Sequence, residues 1–219
     1  MLFTDFSSNY EIIVNPELPG TGKWSIPEIH IPADFKVKVT GDHLILKVKA
    51  GQQWQVWHVG SEANSEIWTT PDPDRILIAG REGALYVSVK DPSDVTRIKL
   101  SSVRVTAARE QGILLLNDYF SVTALDSSGI RWQTPGLVDD DMTIKTVDGN
   151  RIICSGFSFR NPNVYGDVKI VLDLSTGSVL HEDELPERKS YLHSIRNRLT
   201  TIAGKTKNKS DSAVDKNTF

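Results

Sequence analysis

Two stretches of the sequence, LDSSGIRW from Leu125 to Trp132 and LDLSTGSVL from Leu172 to Leu180, repeat one pattern 47 residues apart. In each copy an apolar strand ends at an Asp, a short polar turn ends at a Gly, and a second segment follows. The Asp carboxylate can accept hydrogen bonds from backbone amides two or three residues further on, and the Gly can take a left-handed conformation. Each copy is therefore predicted to be a β-hairpin. The predicted turn residues are Asp126, Gly129, Asp173 and Gly177.

Alternation of apolar and polar residues with period two covers most of the chain and predicts further strands. Three segments have the pattern of hairpins: 35–48, 76–89, and 143–159 around Asp148-Gly149, a dipeptide that suits a type I′ turn. Short β-branched or aromatic runs fill residues 96–125, and no amphipathic helix interrupts the strand pattern. The body is predicted to be all-β, with antiparallel strands because the connections are too short for helical crossovers.

The repeated unit resembles the outer hairpins of β-propeller blades of the quinoprotein type. In those hairpins a strand ending in Leu-Asp precedes a Thr-Gly or Ser-Gly turn, an apolar residue and a Trp. Residues 122–132 match this pattern, and residues 170–180 match it without the Trp. Residues 112–180 are also similar to the C-terminal part of small uncharacterised bacterial proteins with the same hairpin order. The resemblance implies a bacterial protein with propeller-like hairpins and implies no catalytic residue.

A complete propeller does not fit the length of the chain. A blade of four strands takes about 40 to 50 residues, and a closed ring needs at least four blades. Tyr10 to Leu185 comprises 176 residues, which is less than four blades at the observed spacing of 47. We therefore expect residues 1–185 to form an antiparallel β-sandwich or a meander of hairpins, with a partial propeller as the alternative.

The chain changes character after residue 185. Residues 186–204 carry apolar side chains spaced three, four and three residues apart, which predicts a short amphipathic helix that ends near Gly204. Residues 205–219 are polar and rich in Lys, so we expect a disordered basic tail. The apolar stripe either packs on the β body or docks on a partner or an anionic surface. Its members are Leu192, Ile195, Leu199 and Ile202.

Charge is distributed unevenly along the chain. From Pro186 to Phe219 there are 8 Lys or Arg and 3 Asp or Glu, a net charge of +5, so the remainder carries −8 of the total of −3. An acidic body argues against nucleic-acid binding through a broad positive face, because such binding is driven mainly by the neutralisation of phosphates. It favours a protein partner or self-association.

Three features of the sequence indicate a cytoplasmic protein. The single Cys154 cannot form an intramolecular disulfide, and residues 1–10 lack both a basic and an apolar signal region. No apolar run reaches the roughly 18 residues that a membrane helix needs, so we expect no transmembrane segment.

No catalytic or cofactor motif is recognisable in the sequence. Nucleophile-elbow, phosphate-loop and dinucleotide patterns are absent, and the run of Asp139, Asp140 and Asp141 lacks the alternating order of a calcium loop. The histidines are scattered without the spacing of a zinc site, so we expect no metal and no cofactor. They are His30, His43, His58, His181 and His193.

The strongest indication of a binding site is the stretch from Gln52 to His58, which contains two tryptophans. At period two Trp54 and Trp57 point to opposite faces, so one should enter the core and the other should lie near the surface or at an interface. An exposed indole beside amides and an imidazole suits a sugar ring or a protein partner. Gln55, Trp57 and His58 are therefore the candidate binding residues, and burial of every Trp in the core is the alternative.

These observations support two hypotheses of function. The first is a non-catalytic bacterial interaction or binding module, for example an immunity-type or accessory protein, because the body is acidic and no catalytic constellation is visible. The second is a carbohydrate-binding or hydrolytic protein with a pocket near Trp57 and His58. A concave pocket with these residues and carboxylates would favour the second hypothesis, and a flat acidic face would favour the first.

Overall fold

A computed structural model describes residues 1–34, 43–161 and 164–184. These residues form seventeen β-strands in four separate sheets and one short 3-10 helix, Arg109–Gln111, which confirms the all-β prediction. Within this part of the chain no helix is long and apolar enough to cross a membrane. The predicted helix of residues 186–204 and the predicted tail of residues 205–219 lie outside the described residues. The same holds for the apolar stripe of Leu192, Ile195, Leu199 and Ile202.

The first nine strands form two sheets. They are β1 (Leu2–Phe3), β2 (Tyr10–Val14), β3 (Glu28–Ile31), β4 (His43–Ala50), β5 (Gln53–Glu62), β6 (Glu66–Thr69), β7 (Arg75–Gly80), β8 (Gly83–Ser88) and β9 (Val95–Ile98). Sheet I has the strand order β2-β4-β5-β3, and sheet II has the order β1-β6-β7-β8-β9. Neighbouring strands are antiparallel except for two parallel pairs, β3 with β5 and β1 with β6.

The last eight strands form sheets III and IV. They are β10 (Arg104–Ala108), β11 (Ile113–Asn117), β12 (Val122–Asp126), β13 (Gly129–Gln133), β14 (Asp140–Asp148), β15 (Arg151–Asn161), β16 (Val164–Asp173) and β17 (Val179–Glu184). Each sheet is a meander of four consecutive antiparallel strands, β10 to β13 in sheet III and β14 to β17 in sheet IV.

The predicted hairpin of residues 76–89 is confirmed. Strands β7 and β8 are antiparallel and close where Gly80 lies opposite Gly83. The predicted hairpin of residues 35–48 is wrong in its pairing. Strand β4 pairs with β2 on one edge and with β5 on the other, so residues 46–48 have no edge left for residues 35–39. Residues 35–42 themselves lie outside the described part of the chain.

The predicted hairpin of residues 143–159 is confirmed, but its turn differs from the expectation. Asp148 pairs with Arg151, so the turn is centred on Gly149 and Asn150. Gly149 has a positive φ of 54°, and Asn150 does not have a positive φ. The expected type I′ turn on Asp148-Gly149 is therefore wrong, because that turn needs positive φ at both central residues.

Three hydrophobic cores lie between consecutive sheets. Core A combines side chains of sheets I and II, such as Trp57 and Ile76. Core B combines sheets II and III, for example Leu77 and Leu114, and core C combines sheets III and IV around Leu115. Complete burial of one such apolar side chain contributes about 1.5 to 3 kcal/mol. Packing therefore follows the order I, II, III, IV.

The two copies of the repeat contact each other at the boundary between sheets III and IV. The indole Nε1 of Trp132 donates a hydrogen bond to the carbonyl oxygen of Leu174 at 2.9 Å. Its ring lies directly over Gly177, where an added Cβ would come within 2.6 Å of the ring atom Cε3. Nε of Arg131 donates to the carbonyl oxygen of Ser175 at 3.1 Å. The end of LDSSGIRW thus fastens the first hairpin to the turn of the second.

Candidate functional site

Trp57, the central residue of the predicted binding site, lies in the hydrophobic core. Its side chain is 0% exposed, and its Nε1 donates a hydrogen bond to Gln55 Oε1 at 3.1 Å. It lies opposite Leu46 of β4, and both side chains belong to core A. The expected role of Trp57 at a binding surface is therefore wrong, because this face of β5 packs against sheet II and buries the indole.

Trp54 lies on the opposite face of β5 and is partly exposed. Nζ of Lys47 lies 4.9 Å from its ring centroid, and Nζ of Lys49 lies 5.7 Å from it, distances at which a cation is attracted to an aromatic face. Lys49 is held in place by Glu11, whose Oε1 is 2.7 Å from Nζ. The indole of Trp54 is therefore occupied by lysine side chains.

His58, the third predicted residue, lies at the centre of a histidine cluster on the outer face of sheet I. Its Nδ1 is 3.1 Å from Nε2 of His43, and its Nε2 is 2.8 Å from Oε2 of Glu28. The ring of His30 stacks on that of His58 with the centroids 5.2 Å apart. The side chain of His58 is 13% exposed and that of Glu28 is 42% exposed, so the cluster lies at the border between the sheet and the solvent.

The hydrogen bonds of this cluster define the positions of its protons when His58 is neutral. A carboxylate can only accept, so Nε2 of His58 donates to Glu28. Nδ1 of His58 is then the acceptor, and Nε2 of His43 is the donor. A continuous hydrogen-bond chain therefore runs from His43 through His58 to Glu28.

Three of the five histidines, which are scattered along the sequence, lie together in the structure. Parallel pairing of β3 with β5 sets His30 opposite His58, and His43 starts β4, the strand on the other side of β5. No sequence spacing reveals this, because β3 and β5 are separated by more than twenty residues and pair without a connecting turn. Among the residues that the structure describes, no group of three or more His, Cys, Asp or Glu side chains could hold a metal ion.

A pocket of about 500 Å³ lies between sheets I and II and has His43 on its border. Its wall is formed by the end of β5, the turn between β7 and β8, and the end of β9. A concave site of this volume with a partly apolar lining is typical of small-ligand sites. The apolar side chains that line it are Ile78, Ala84, Leu85 and Ile98.

Charged side chains of both signs surround this pocket. Arg97 is paired with Asp34, whose Oδ1 is 2.8 Å from Nη2. The remaining charged residues form no ion pair within residues 1–34, 43–161 and 164–184, so their charges are available to a bound molecule. They are Glu62, Arg81, Glu82 and Lys99.

Two glycines allow the turn between β7 and β8 to approach its neighbours closely. Gly83 has a φ of 133°, and an added Cβ would lie 2.6 Å from the carbonyl oxygen of Ile98. A Cβ at Gly80 would lie 2.9 Å from the hydroxyl oxygen of Ser61. The sequence identifies both glycines as turn residues, but only the structure shows that they shape the wall of a pocket.

Cys154 is buried in core C and takes no part in this site. Burial raises the pKa of its thiol to about 12. Because the thiolate is the nucleophilic form, the side chain is unreactive at neutral pH. Cys154 is thus a buried free thiol within strand β15.

No protein-family model matches the chain, and no curated protein matches it. Among solved structures, the chain is similar to a functionally unknown protein from Desulfotomaculum acetoxidans DSM 771, with 14% identity, a TM-score of 0.34, and coverage of 63% of this chain and 50% of that chain. It is also similar to dihydro-heme d1 dehydrogenase NirN in complex with DHE, with 12% identity, a TM-score of 0.34, and coverage of 79% and 49% respectively. The chain spans about half the length of both structures.

Proposed function

We propose that this protein is a non-catalytic binding module that holds a small polar ligand in the pocket between sheets I and II. One observation carries the proposal: a pocket of about 500 Å³ combines apolar walls with charged side chains that have no ion-pair partner among the described residues. Apolar walls with a few convergent polar groups are what small-molecule sites require. A ligand that pairs with these charges need not break an existing ion pair.

Charges of both signs favour a ligand that itself carries both signs, such as an amino acid or a short peptide. Glu62 and Glu82 can accept hydrogen bonds from an ammonium group, and Arg81 and Lys99 can donate to a carboxylate. A sugar is less favoured, because the residues that line the pocket include no Trp, Tyr or Phe. The partly exposed Trp54 is covered by lysine side chains.

Calorimetric titration with the twenty standard amino acids tests this proposal. Each amino acid that binds is compared with its methyl ester, which lacks the carboxylate, and with its N-acetyl derivative, which lacks the ammonium group. We expect both derivatives to bind much more weakly than the parent. Binding of neither the amino acids nor short peptides would contradict the proposal, and so would equal binding of parent and derivatives.

Substitutions locate the binding to the pocket. We expect Arg81→Gln and Glu62→Gln each to weaken binding, because each removes one charge that the ligand pairs with. Lys145→Gln is the matched control, since Lys145 is an exposed residue of β14 in sheet IV, far from the pocket in the order of sheets. Equal affinities of all three variants would place the ligand elsewhere.

A second candidate function is acid–base chemistry in the same pocket, favoured by the hydrogen-bond chain from Glu28 through His58 to His43. His43 belongs to this chain and also borders the pocket, so the chain connects Glu28 to the pocket wall. Assays with chromogenic esters and glycosides test this hydrolytic alternative. Turnover that is lost in His43→Gln and lowered in Glu28→Gln supports it, and absence of turnover by the wild type argues against it.

For the fold, we infer an open, propeller-like stack of sheets. Sheets III and IV are four-stranded meanders, and each consecutive pair of sheets shares one core. The contact of Trp132 with the second copy of the repeat supports the resemblance to propeller blades. A two-layer sandwich would bury one core between two sheets. A crystal structure in which two sheets enclose a single continuous core would contradict this inference.

A protein partner for the acidic body is a further proposal. Affinity capture from a bacterial host, with quantification of the bound proteins, tests it. A partner bound in equal amount supports an interaction role. Binding to glycans alone, without any such protein, contradicts it.

A further inference from the structure

Four aromatic side chains and three carboxylates form an exposed surface at one end of sheets III and IV, here called the aromatic-acidic patch. Phe159, Phe120 and Tyr119 are 52%, 41% and 37% exposed. The rings of Tyr119 and Phe120 are 6.1 Å apart, and those of Phe157 and Phe159 are 4.9 Å apart. Clusters of exposed aromatic rings are typical of interaction surfaces. The patch consists of Tyr119, Phe120, Phe157, Phe159, Asp139, Asp140 and Asp141.

One short segment holds the two aromatic pairs together. The amide of Leu137 donates to the carbonyl oxygen of Phe120 at 2.7 Å, and the amide of Asp139 donates to that of Phe157 at 2.9 Å. Leu137 and Asp139 are two residues apart, a distance of about 7 Å in an extended chain. The backbones at Phe120 and Phe157 therefore lie close together at the boundary between sheets III and IV.

The carboxylates of the patch lie on this same segment. Asp139 Oδ2 accepts a hydrogen bond from the amide of Phe159 at 2.6 Å, so its position beside the ring is fixed. Asp140 and Asp141 are exposed, and Asp141 Oδ1 is 3.7 Å from Nη2 of Arg104. Asp140 and Asp141 therefore place two exposed carboxylates at the edge of the patch.

The described chain ends close to this patch. Glu184, the last residue of β17, pairs with Val168, which in turn pairs with Gly156. Two strand spacings separate Glu184 from Gly156, which is about 10 Å. Strand β17 runs in the same direction as β15, so the chain leaves sheet IV on the side of Phe157 and Phe159.

The segment that follows is complementary to the patch in charge and apolarity. Residues 186–204 contain four basic residues, and the first of them, Arg188, is four residues beyond Glu184, a reach of at most about 14 Å. Apolar side chains recur in this segment at helical spacing. They are Leu192, Ile195, Leu199 and Ile202.

We propose that residues 186–204 bind the aromatic-acidic patch of the same chain, with the apolar side chains on the rings and the basic side chains on the carboxylates. A tethered segment of this kind experiences a millimolar effective concentration of its target, which favours binding within the chain over binding to a second copy. The proposal is independent of the ligand pocket, which lies between sheets I and II.

Paramagnetic labelling of the full chain tests the proposal. Ser194→Cys introduces a labelling site next to the apolar stripe, and the buried Cys154 does not compete for the reagent. We expect a strong loss of amide peak intensity at Tyr119, Phe120 and Phe159 and none at Arg81 or Lys99 in the pocket wall. Loss at neither site, or equal loss at both, would overturn the proposal.

Two pairs of variants show which groups make the contact. Ile195→Asp should abolish the loss of amide peak intensity at the patch, whereas Thr200→Asp, which adds the same charge outside the stripe, should leave that loss unchanged. Phe159→Ser should weaken the effect, and Leu18→Ser, at a residue that is 65% exposed, should leave it unchanged. All four substitutions leave the described cores intact. Identical spectra of stripe and control variants would contradict the proposal.

A mixed sample distinguishes binding within one chain from binding between chains. One protein carries the paramagnetic label but no NMR-active isotope. The other carries the isotope, so that its amide peaks are observed, but no paramagnetic label. We expect the amide peaks of the patch to keep their intensity in this mixture, at the same protein concentration as in the experiment with the labelled chain alone. Loss at the patch in this mixture would show that a second copy provides the segment and would overturn binding in cis.

Discussion

The close contact between Trp132 and Gly177, at the boundary between sheets III and IV, leaves no space for a larger side chain at residue 177. Gly177 has a φ of 71°, and its Cα lies directly under the indole. We expect Gly177→Ala to lower the free energy of unfolding by about 2–4 kcal/mol, because the new methyl group combines backbone strain with overpacking against the ring. Gly51→Ala is the matched control, since Gly51 has a φ of 65° and nothing within 4 Å of an added Cβ.

Urea unfolding of the two variants measures the difference. The control carries only the backbone strain, so it should lose about 1 kcal/mol. Trp132→Phe completes the series, since loss of the hydrogen bond to the carbonyl oxygen of Leu174 should cost about 1 kcal/mol. Equal losses for Gly177→Ala and Gly51→Ala would show that the indole tolerates the added methyl group.

Cys154 offers a second prediction for a single residue. Its side chain is 0% exposed, and burial raises the pKa of the thiol to about 12. We expect no reaction with a thiol-specific reagent at neutral pH in the folded protein and reaction of one thiol per chain in denaturant. Fast labelling of the native protein would mean that core C opens readily. The labelling rate of a Ser127→Cys variant, at an exposed residue of a hairpin turn, provides the reference.

The roles of single residues were predictable where the chemistry is local. Asp126 accepts hydrogen bonds from the amide and hydroxyl of Ser128, and Asp173 accepts them from Ser175 and Thr176, as expected for an Asp that precedes a turn. The partner of Trp132 is more than forty residues away, so no local rule identifies it. Burial of Trp57 depends on sheet II in the same way.

At the scale of elements, the two Asp turns should make the hairpins sensitive to acid. Hydrogen bonds, chiefly from the side chain of Ser128, hold the pKa of Asp126 below its ordinary value, and Ser175 has the same effect on the pKa of Asp173. A carboxylate with a lowered folded pKa contributes stability that is fully present above the unfolded pKa of about 3.9. That stability is lost as the pH falls through the folded pKa.

Thermal unfolding between about pH 5 and about pH 2.5 checks this prediction. In a variant with Asp126→Asn and Asp173→Asn, the side chains still accept hydrogen bonds from the amides but do not titrate, so its melting temperature should fall less steeply than that of the wild type. Asp148→Asn is the control, because Asp148 lies at a hairpin turn without a described hydrogen bond from Ser or Thr. A double variant as acid-sensitive as the wild type would contradict the role of these turns.

Elements formed by neighbouring residues were also the ones that the sequence predicted best. The hairpins of residues 76–89 and 143–159 follow from alternation and glycine-containing turns. The parallel pairs of β3 with β5 and of β1 with β6 join distant segments and carry no turn signal. The contact of His30 with His58 depends on the first of these pairs, which explains why His58 was predicted as a site residue but His30 was not.

At the scale of the whole molecule, continuous apolar runs mark the two central sheets. In β11, Ile113 and Leu115 belong to core C, whereas Leu114 belongs to core B. A strand between two cores needs apolar side chains on both faces, whereas β4 in the outer sheet I alternates. The continuous apolar runs were visible in the sequence. The order of the sheets was not, because it depends on which sheets pack against each other and not on the periodicity of residues within one strand. The pocket between sheets I and II was hidden for the same reason.

Amide hydrogen exchange should therefore rank the sheets by the number of cores that each one contacts. Strands β7 and β11 are covered on both faces, and opening either would expose two cores at once, so their amides should exchange only through the most extensive unfolding. Strands β4 and β16 contact one core each and should exchange faster through partial opening. Only interior strands are compared, because edge strands lack hydrogen bonds on one side. Slower exchange of the amides of β4 or β16 than of those of β7 and β11 would show that stability is concentrated in the outer sheets. The description of a stack stabilised by its two central sheets would then be wrong.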